Sequence, residues 1–246
     1  MGRPAQFCDH GSLLAFRIRR LLRRHAAGRS GIEIGGPSEL FRTLLPAYPH
    51  VARLDNVNYS ASTVWEGQIA EGETFRFDPD RPAGRQYVCE ATELPVDNAA
   101  YELVLSSHTL EHVANPLRAL REWRRVLSDD GTLVLVVPHR ALIFDHRRPV
   151  TSFDHLVADH ERGTAESDLT HLPEILELHD LARDKPAGDP ETFRARSLEN
   201  AANRCLHHHV FDESLATRAV EWAGFEVLGT ALLEQRHIVV VARTGV

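Results

Sequence analysis

Between residues 31 and 138 short apolar runs alternate with amphipathic stretches, and that order admits few folds. Strands are expected at residues 31–34, 50–55, 86–90, 101–106 and 132–137. Helices are expected at 38–45, 62–70 and 115–127, the last opened by Asn115 and Pro116 and carrying Leu117, Leu120, Trp123, Val126 and Leu127 on one face. The run at 132–137 is apolar without interruption, the mark of a strand covered on both faces inside a parallel sheet. Strand–helix–strand repetition of this length points to an open α/β sheet with right-handed crossovers. The rhythm returns after residue 210 with a helix at 212–223 and strands at 225–230 and 236–242. Only residues 231–235 separate those last strands, too few for a crossover, so they form an antiparallel hairpin.

Four segments follow: a basic helical leader at 1–30, a sheet core at 31–138, a polar insert at 139–210 and the sheet's C-terminal part at 211–246. In the leader Phe16, Ile18, Leu21 and Leu22 alternate with arginines, which reads as a short amphipathic helix packed on the domain. Trp65, Trp123 and Trp222 fall on expected helices and read as core. The formal net charge of −7 argues against a general nucleic-acid surface. No apolar run reaches membrane-spanning length, and no secretory pattern opens the sequence. Three separated cysteines (Cys8, Cys89, Cys205) build no disulfide framework and suit a reducing cytoplasm, the expected location. Lys185 is the single lysine, which reads as genome composition. Nothing sets the oligomeric state; a dimer is compatible with the sequence.

Chemistry begins at Ile32-Glu33-Ile34-Gly35-Gly36-Pro37-Ser38, a strand running into glycines and a helix start. At the carboxyl edge of an α/β sheet such a turn lets backbone approach a nucleotide. Twenty residues after Gly35 stands Asp55, at the expected end of the second strand, where a carboxylate accepts from ribose hydroxyls. There is no GxxxxGK[ST] loop. Glu33 suits a cationic group, such as the amino group of a methionine moiety, better than a pyrophosphate.

With these features the sequence resembles the class I S-adenosylmethionine-dependent methyltransferases, type-11 group. The matching pieces are Glu33-Ile34-Gly35-Gly36, Asp55, the stretch Glu90-Ala91-Thr92-Glu93-Leu94-Pro95-Val96-Asp97, Tyr101-Glu102-Leu103-Val104, Ser107-His108-Thr109-Leu110-Glu111-His112-Val113, and Arg124-Arg125-Val126-Leu127 with Gly131. The resemblance implies a Rossmann-like, seven-stranded, mostly parallel sheet with helices on both faces. It implies S-adenosyl-L-methionine as cofactor, held by Glu33, Gly35, Gly36, Asp55, Glu90, Ala91, Ser107 and His108. Two departures stand out: Pro37 replaces a third glycine, and Glu90 replaces an aspartate. Phe144 to Thr151 also resembles a methyltransferase branch associated with polysaccharide and natural-product pathways.

The expected reaction is methyl transfer to a small polar acceptor, a hydroxyl of a sugar or natural-product intermediate, with a nitrogen acceptor as runner-up. A non-catalytic cofactor-binding partner protein and an NAD(P)-dependent oxidoreductase are the readings from other classes. The insert leaves the carboxyl end of the fifth strand, where α/β sheets bind ligands, so it is expected to fold over the methyl end as a lid, and ten of the fifteen histidines lie at or after His139. His108 is the first candidate base, with His146 and His155 next; His112 reads as a loop-ordering residue ahead of a base. His207 and His209, with His146, His155, His171 or Asp180, contain the makings of an N/O metal site. No fixed ligand spacing such as HExxH accompanies them, so the expected reaction needs no metal.

Overall fold

The computed structural model describes residues 10–245; Cys8 lies outside them. Helix α1 (His10–Ala26) leads into β1 (Ser30–Ile34), α2 (Glu39–Arg42) and β2 (Arg53–Asn58). Three short strands follow, β3 (Ser62–Thr63), β4 (Gly67–Gln68) and β5 (Gly72–Phe75), then β6 (Gly84–Val88) and β7 (Tyr101–Ser107). Next come α3 (Pro116–Val126) and β8 (Leu127–Pro138). The insert holds α4 (Phe153–Arg162), α5 (Leu172–Leu178), α6 (Pro190–Leu198) and α7 (Asn200–Asn203). The chain ends with α8 (Glu213–Trp222), β9 (Phe225–Leu233) and β10 (His237–Thr244).

The main sheet has the order β5-β6-β2-β1-β7-β8-β10-β9. The β6-β2-β1-β7-β8 block is parallel, whereas β10 runs antiparallel to both β8 and β9. Seven strands form the expected mostly parallel sheet, and β5 adds an eighth, antiparallel to β6 at the edge. The hairpin expected from the short 231–235 spacing forms as β9–β10. Its turn carries Glu234 and Gln235 in the left-handed region, at φ 49° and 56°. The strand order reverses beside β1, so the carboxyl ends of β1 and β7 open a crevice there.

The uninterrupted apolar run in β8 is buried on both faces, as its composition requires. Leu133, Leu135 and Val137 pack with Leu117, Leu120 and Trp123 of α3 and with Ala216 and Val220 of α8. Val134 and Val136 pack with Phe41, Leu45, Leu22 and Ile18 on the opposite face. In α1 the buried stripe is Ile18, Leu22 and Ala26, while Phe16 faces solvent. Asn115 caps α3 by accepting from Arg118 N, and Asp212 caps α8 by accepting from Leu215 N.

The helix expected at 62–70 is instead the β3–β4 hairpin. Gly67 sits there at φ 67°, and the β-branched and aromatic residues Thr63, Val64 and Trp65 disfavour a helix. No helix among the described residues is long and apolar enough to cross a membrane.

The insert is helical with a small core of its own, built from Ile175, Ala187, Phe193 and Leu206. Ser152 and Asp189 cap α4 and α6, and Gly163 closes α4 in the left-handed region. Leu156 of α4 joins the main core. Arg148 ties the insert together at 1% exposure. Its guanidinium donates to Asp145 Oδ1 (3.1 Å), Glu174 Oε1 (2.8 Å), His207 O (2.8 Å) and His208 O (3.2 Å).

Removing one partner of a buried charge network costs about 3–5 kcal/mol, because the other is left uncompensated. Arg148→Ala is therefore expected to open the insert while the sheet persists. Limited proteolysis should cut the variant within residues 139–210 well before the wild type. Equal resistance of the two proteins would contradict this assignment.

Candidate active site

The turn after β1 is shaped by close approach. Gly35 lies at φ 82°, and a Cβ there would collide with the Thr109 side chain. Asn56, buried on β2, holds Gly36 from both sides: its Oδ1 accepts from Gly36 N and its Nδ2 donates to Gly36 O, each at 3.0 Å. The side chain of Glu33 points behind the turn. It accepts from Ser38 N (3.1 Å) and from the Tyr48 hydroxyl (2.7 Å). Burial pushes its carboxyl up to about 8, only partly offset by those two bonds. Strand alternation explains this placement, because Ile32 and Ile34 face the α3 side and Glu33 the side of Phe41 and Tyr48. Glu33 thus builds the turn and does not line the cleft beyond it.

That cleft, about 370 Å³, lies over the carboxyl ends of β1, β2, β6 and β7. Gly35, Glu90, Ala91, Ser107 and His108 line it, together with Asn58, Glu111, His112 and the insert residues Phe144, Glu166, Arg204 and His207. Gly36 is turned away from it, toward a neighbouring depression.

Asp55 stands elsewhere. Because β2 runs from Arg53 to Asn58, Asp55 falls in its first half, toward the amino end of the sheet. It accepts from Arg53 Nε (3.1 Å), Arg85 N (2.8 Å) and the Tyr101 hydroxyl (2.9 Å). The residue at the cleft end of the strand is Asn58. Its Oδ1 accepts from Asn56 Nδ2 (2.6 Å) and Gln86 Nε2 (3.1 Å), which leaves its own amide hydrogens for a ligand.

Glu90 is paired bidentately with Arg204 of the insert, at 2.7 and 3.3 Å. Arg204 also meets Glu166 at 2.8 Å and lies over the Tyr59 ring at 5.2 Å. This knot closes one end of the cleft.

The other end is aromatic. Trp65, expected in the core, is half exposed on the β3–β4 turn and meets the His112 ring edge-on at 5.4 Å. His112 and Phe144 each lie 4.6 Å from the His207 ring. His112 Nδ1 donates to Leu206 O at 3.1 Å, and burial holds its pKa down at about 4, so its Nε2 is a bare acceptor. His207 Nδ1 bonds the Asp145 carboxylate at 2.5 Å. Burial works against both charges, yet each stabilises the other: Asp145 is drawn down to about 2 by His207 and Arg148, and His207 is raised above its ordinary value.

Glu111 lies between these groups, 1% exposed, and neither carboxylate oxygen has a protein hydrogen-bond partner of good geometry. Burial pushes its pKa up, but His108, 3.4 Å away, and the histidines around it outweigh that and keep it ionised. His108 occupies the left-handed region at φ 52°, and its Nε2 lies within hydrogen-bond distance of His237 Nδ1 at 2.9 Å.

Of the other expected bases, His146 is bonded to Asp180 (2.8 Å) and His155 to His171 (3.0 Å). Neither lines the cleft. Asn56, Asn58, Glu111, Arg204 and the Asp145–His207 pair were not singled out for these roles by motif spacing.

The sheet order and glycine turn are those of a class I methyltransferase fold. Residues 34–135 match the family model described as a methyltransferase domain. A protein of Streptomyces fradiae described as an uncharacterized 37.1 kDa protein in transposon TN4556 is 29% identical over 112 residues. That match covers 45% of this chain and 30% of the relative, so the chain corresponds to under a third of that protein's length. Among solved structures, an S-adenosylmethionine-dependent methyltransferase from Mesorhizobium loti aligns with a TM-score of 0.54 at 15% identity, covering 94% of this chain and 97% of the other. The trans-methyltransferase CalH, in complex with S-adenosylhomocysteine, aligns at 0.51 and 14% identity, over 94% and 55%.

Over residues 34–135 the chain matches a methyltransferase domain, and its fold is shared with S-adenosylmethionine-dependent methyltransferases, for which S-adenosylmethionine is the expected cofactor. The site fits that group chemically. An amide donor at Asn58, an apolar wall of Cys89, Ala91 and Val113, and an unpaired buried carboxylate at Glu111 suit a nucleoside that carries positive charge.

Losing a hydrogen bond to the cofactor costs about 0.5–1.5 kcal/mol. Asn58→Ala should therefore weaken S-adenosylhomocysteine binding by roughly threefold to tenfold, and Asp55→Asn should leave it within about twofold. Calorimetry checks both, and the reverse ranking would return the ribose contact to Asp55.

Proposed function

We propose that the protein is an enzyme that methylates a hydroxyl of a small polar acceptor, of the sugar or natural-product kind, and that His207 is the proton acceptor. The observation that carries this reading is the Asp145–His207 pair on the cleft wall. Asp145 holds Nδ1, which directs the basic Nε2 lone pair outward. S-adenosylmethionine supplies an already activated methyl group. What remains for the protein is to hold the acceptor in line, exclude water and take its proton.

The roles divide along the cleft. Gly35, Asn58 and Ala91 bind the nucleoside end, with Glu111 as counter-charge near the cationic centre. Trp65, Phe144 and His112 give the acceptor end flat faces with polar edges, which suits a sugar ring better than an extended apolar substrate. His112, neutral beside His207, accepts a second hydroxyl hydrogen and orients the ring. Glu166 and Arg204 close the Glu90 end against water.

The base must be unprotonated to act. The rate is therefore expected to rise with pH through the raised pKa of His207 and to level off above it. His207→Gln should lower kcat by about 10²–10⁴-fold with S-adenosylhomocysteine affinity unchanged. Asp145→Asn removes the charge that raises His207 and should move the acid limb to lower pH. A full kcat in the His207 variant, or an unmoved limb in the Asp145 variant, would exclude this base.

A further inference from the structure

Behind the cleft the insert holds a second cluster that the proposed reaction does not use. His155 and Asp159 lie one turn apart on one face of α4, His171 directly precedes α5, and His209 sits on the segment leading to α8. One nitrogen or oxygen from each of the four falls within 4.8 Å of every other. We propose that His155, Asp159, His171 and His209 bind one divalent transition-metal ion of the zinc class, which pins the insert to the sheet domain.

The separations are those of ligands facing one point. His155 Nε2 lies 3.0 Å from His171 Nε2 and 3.2 Å from Asp159 Oδ2, and His209 Nε2 lies 3.6 Å from the same oxygen. Tetrahedral coordination with bonds of about 2.0–2.1 Å places ligand atoms about 3.3 Å apart. Three imidazoles and one carboxylate form a borderline donor set suited to zinc, and cobalt and nickel share that preference.

The carboxylate is oriented from behind. Arg162 Nη2 (2.7 Å) and Thr164 Oγ1 (3.0 Å) both donate to Asp159 Oδ1. Oδ2 has no hydrogen-bond partner, although Asp159 is only 2% exposed. An unpaired oxygen buried this deeply is costly, and a cation at the centre of the cluster removes that cost. His209, 1% exposed, is held neutral by burial, which is the ligating form. Its Nε2 now approaches Ala114 O at 3.2 Å, a bond that coordination replaces. His155 and His171 are partly exposed and leave a route in for the ion.

The site joins segments distant in sequence. Asn115 Nδ2 donates to Asp159 O at 3.1 Å, so α4 is already seated on the loop that opens α3. His209 follows His207 by two residues. A metal here therefore fixes the segment that presents His207 to the cleft, without touching the acceptor. This inference rests on the fold and not on the proposed reaction.

The probe is cobalt(II) added to chelator-treated, tag-free protein and followed by visible absorption, with zinc as competitor. One equivalent should give the intense bands of tetrahedral cobalt, and zinc should abolish them and raise Tm. His155→Ala/His171→Ala should lose the bands and weaken binding by at least about tenfold. Glu111→Gln should keep the bands, because it alters a different trio, Glu111, His112 and His207. Circular dichroism verifies that the variants are folded, and if the double variant is not, the single His171→Gln substitution at the partly exposed ligand takes its place. Wild-type protein that takes up no cobalt, bands that survive loss of His171, or bands lost in Glu111→Gln would each overturn the assignment.

Discussion

The arrangement of the cleft depends on one buried guanidinium. Arg148 is almost fully enclosed and donates to two carboxylates and two backbone carbonyls from three separate stretches of chain. A charge so placed is tolerated only when its donors are satisfied, which makes the contacts mutually dependent. Two of them fix Asp145 and the backbone of His207, and Asp145 in turn fixes the His207 ring. The position of the proposed base is thus set by a chain of charge-assisted bonds that begins in the insert and ends at the sheet edge.

The sheet core supplies the complementary part. Its strand order opens a crevice beside β1, and Asn56 clamps the Gly36 backbone so that the turn presents itself in one conformation. Glu33 and Tyr48 brace the turn from behind. In the proposed reading cofactor binding rests on the strands and acceptor binding on the helical insert. That division leaves the insert free to differ in acceptor chemistry while the core stays the same.

Much of the architecture was legible in the sequence because hydrophobic periodicity reports burial. The β8 run, the α3 stripe and the closing hairpin follow from it directly. The error at Asp55 came from a strand boundary placed three residues early, which moved a carboxylate from the amino half of β2 to its carboxyl end. The segment at 62–70 misled because a sparse apolar pattern did not reveal that Gly67 takes a left-handed turn. The roles of Asn58, Arg204 and the Asp145–His207 pair had no local signature. Asn58 follows from where β2 ends, and the other two arise from contacts over long sequence separations, 62 residues for the Asp145–His207 bond and 114 for Arg204 with Glu90. Spacing rules for catalytic and metal sites do not cover such contacts.

The most direct measurement of the central claim is a crystal structure of the protein with S-adenosylhomocysteine. The account predicts the ribose at Asn58 and the adenine against Cys89 and Ala91. It predicts the sulfur facing the aromatic end, with His207 Nε2 within about 8 Å, the span left for one acceptor oxygen in line with the methyl and within hydrogen-bond reach of the base. A ribose seated at Asp55, or a sulfur facing away from His207, would contradict it.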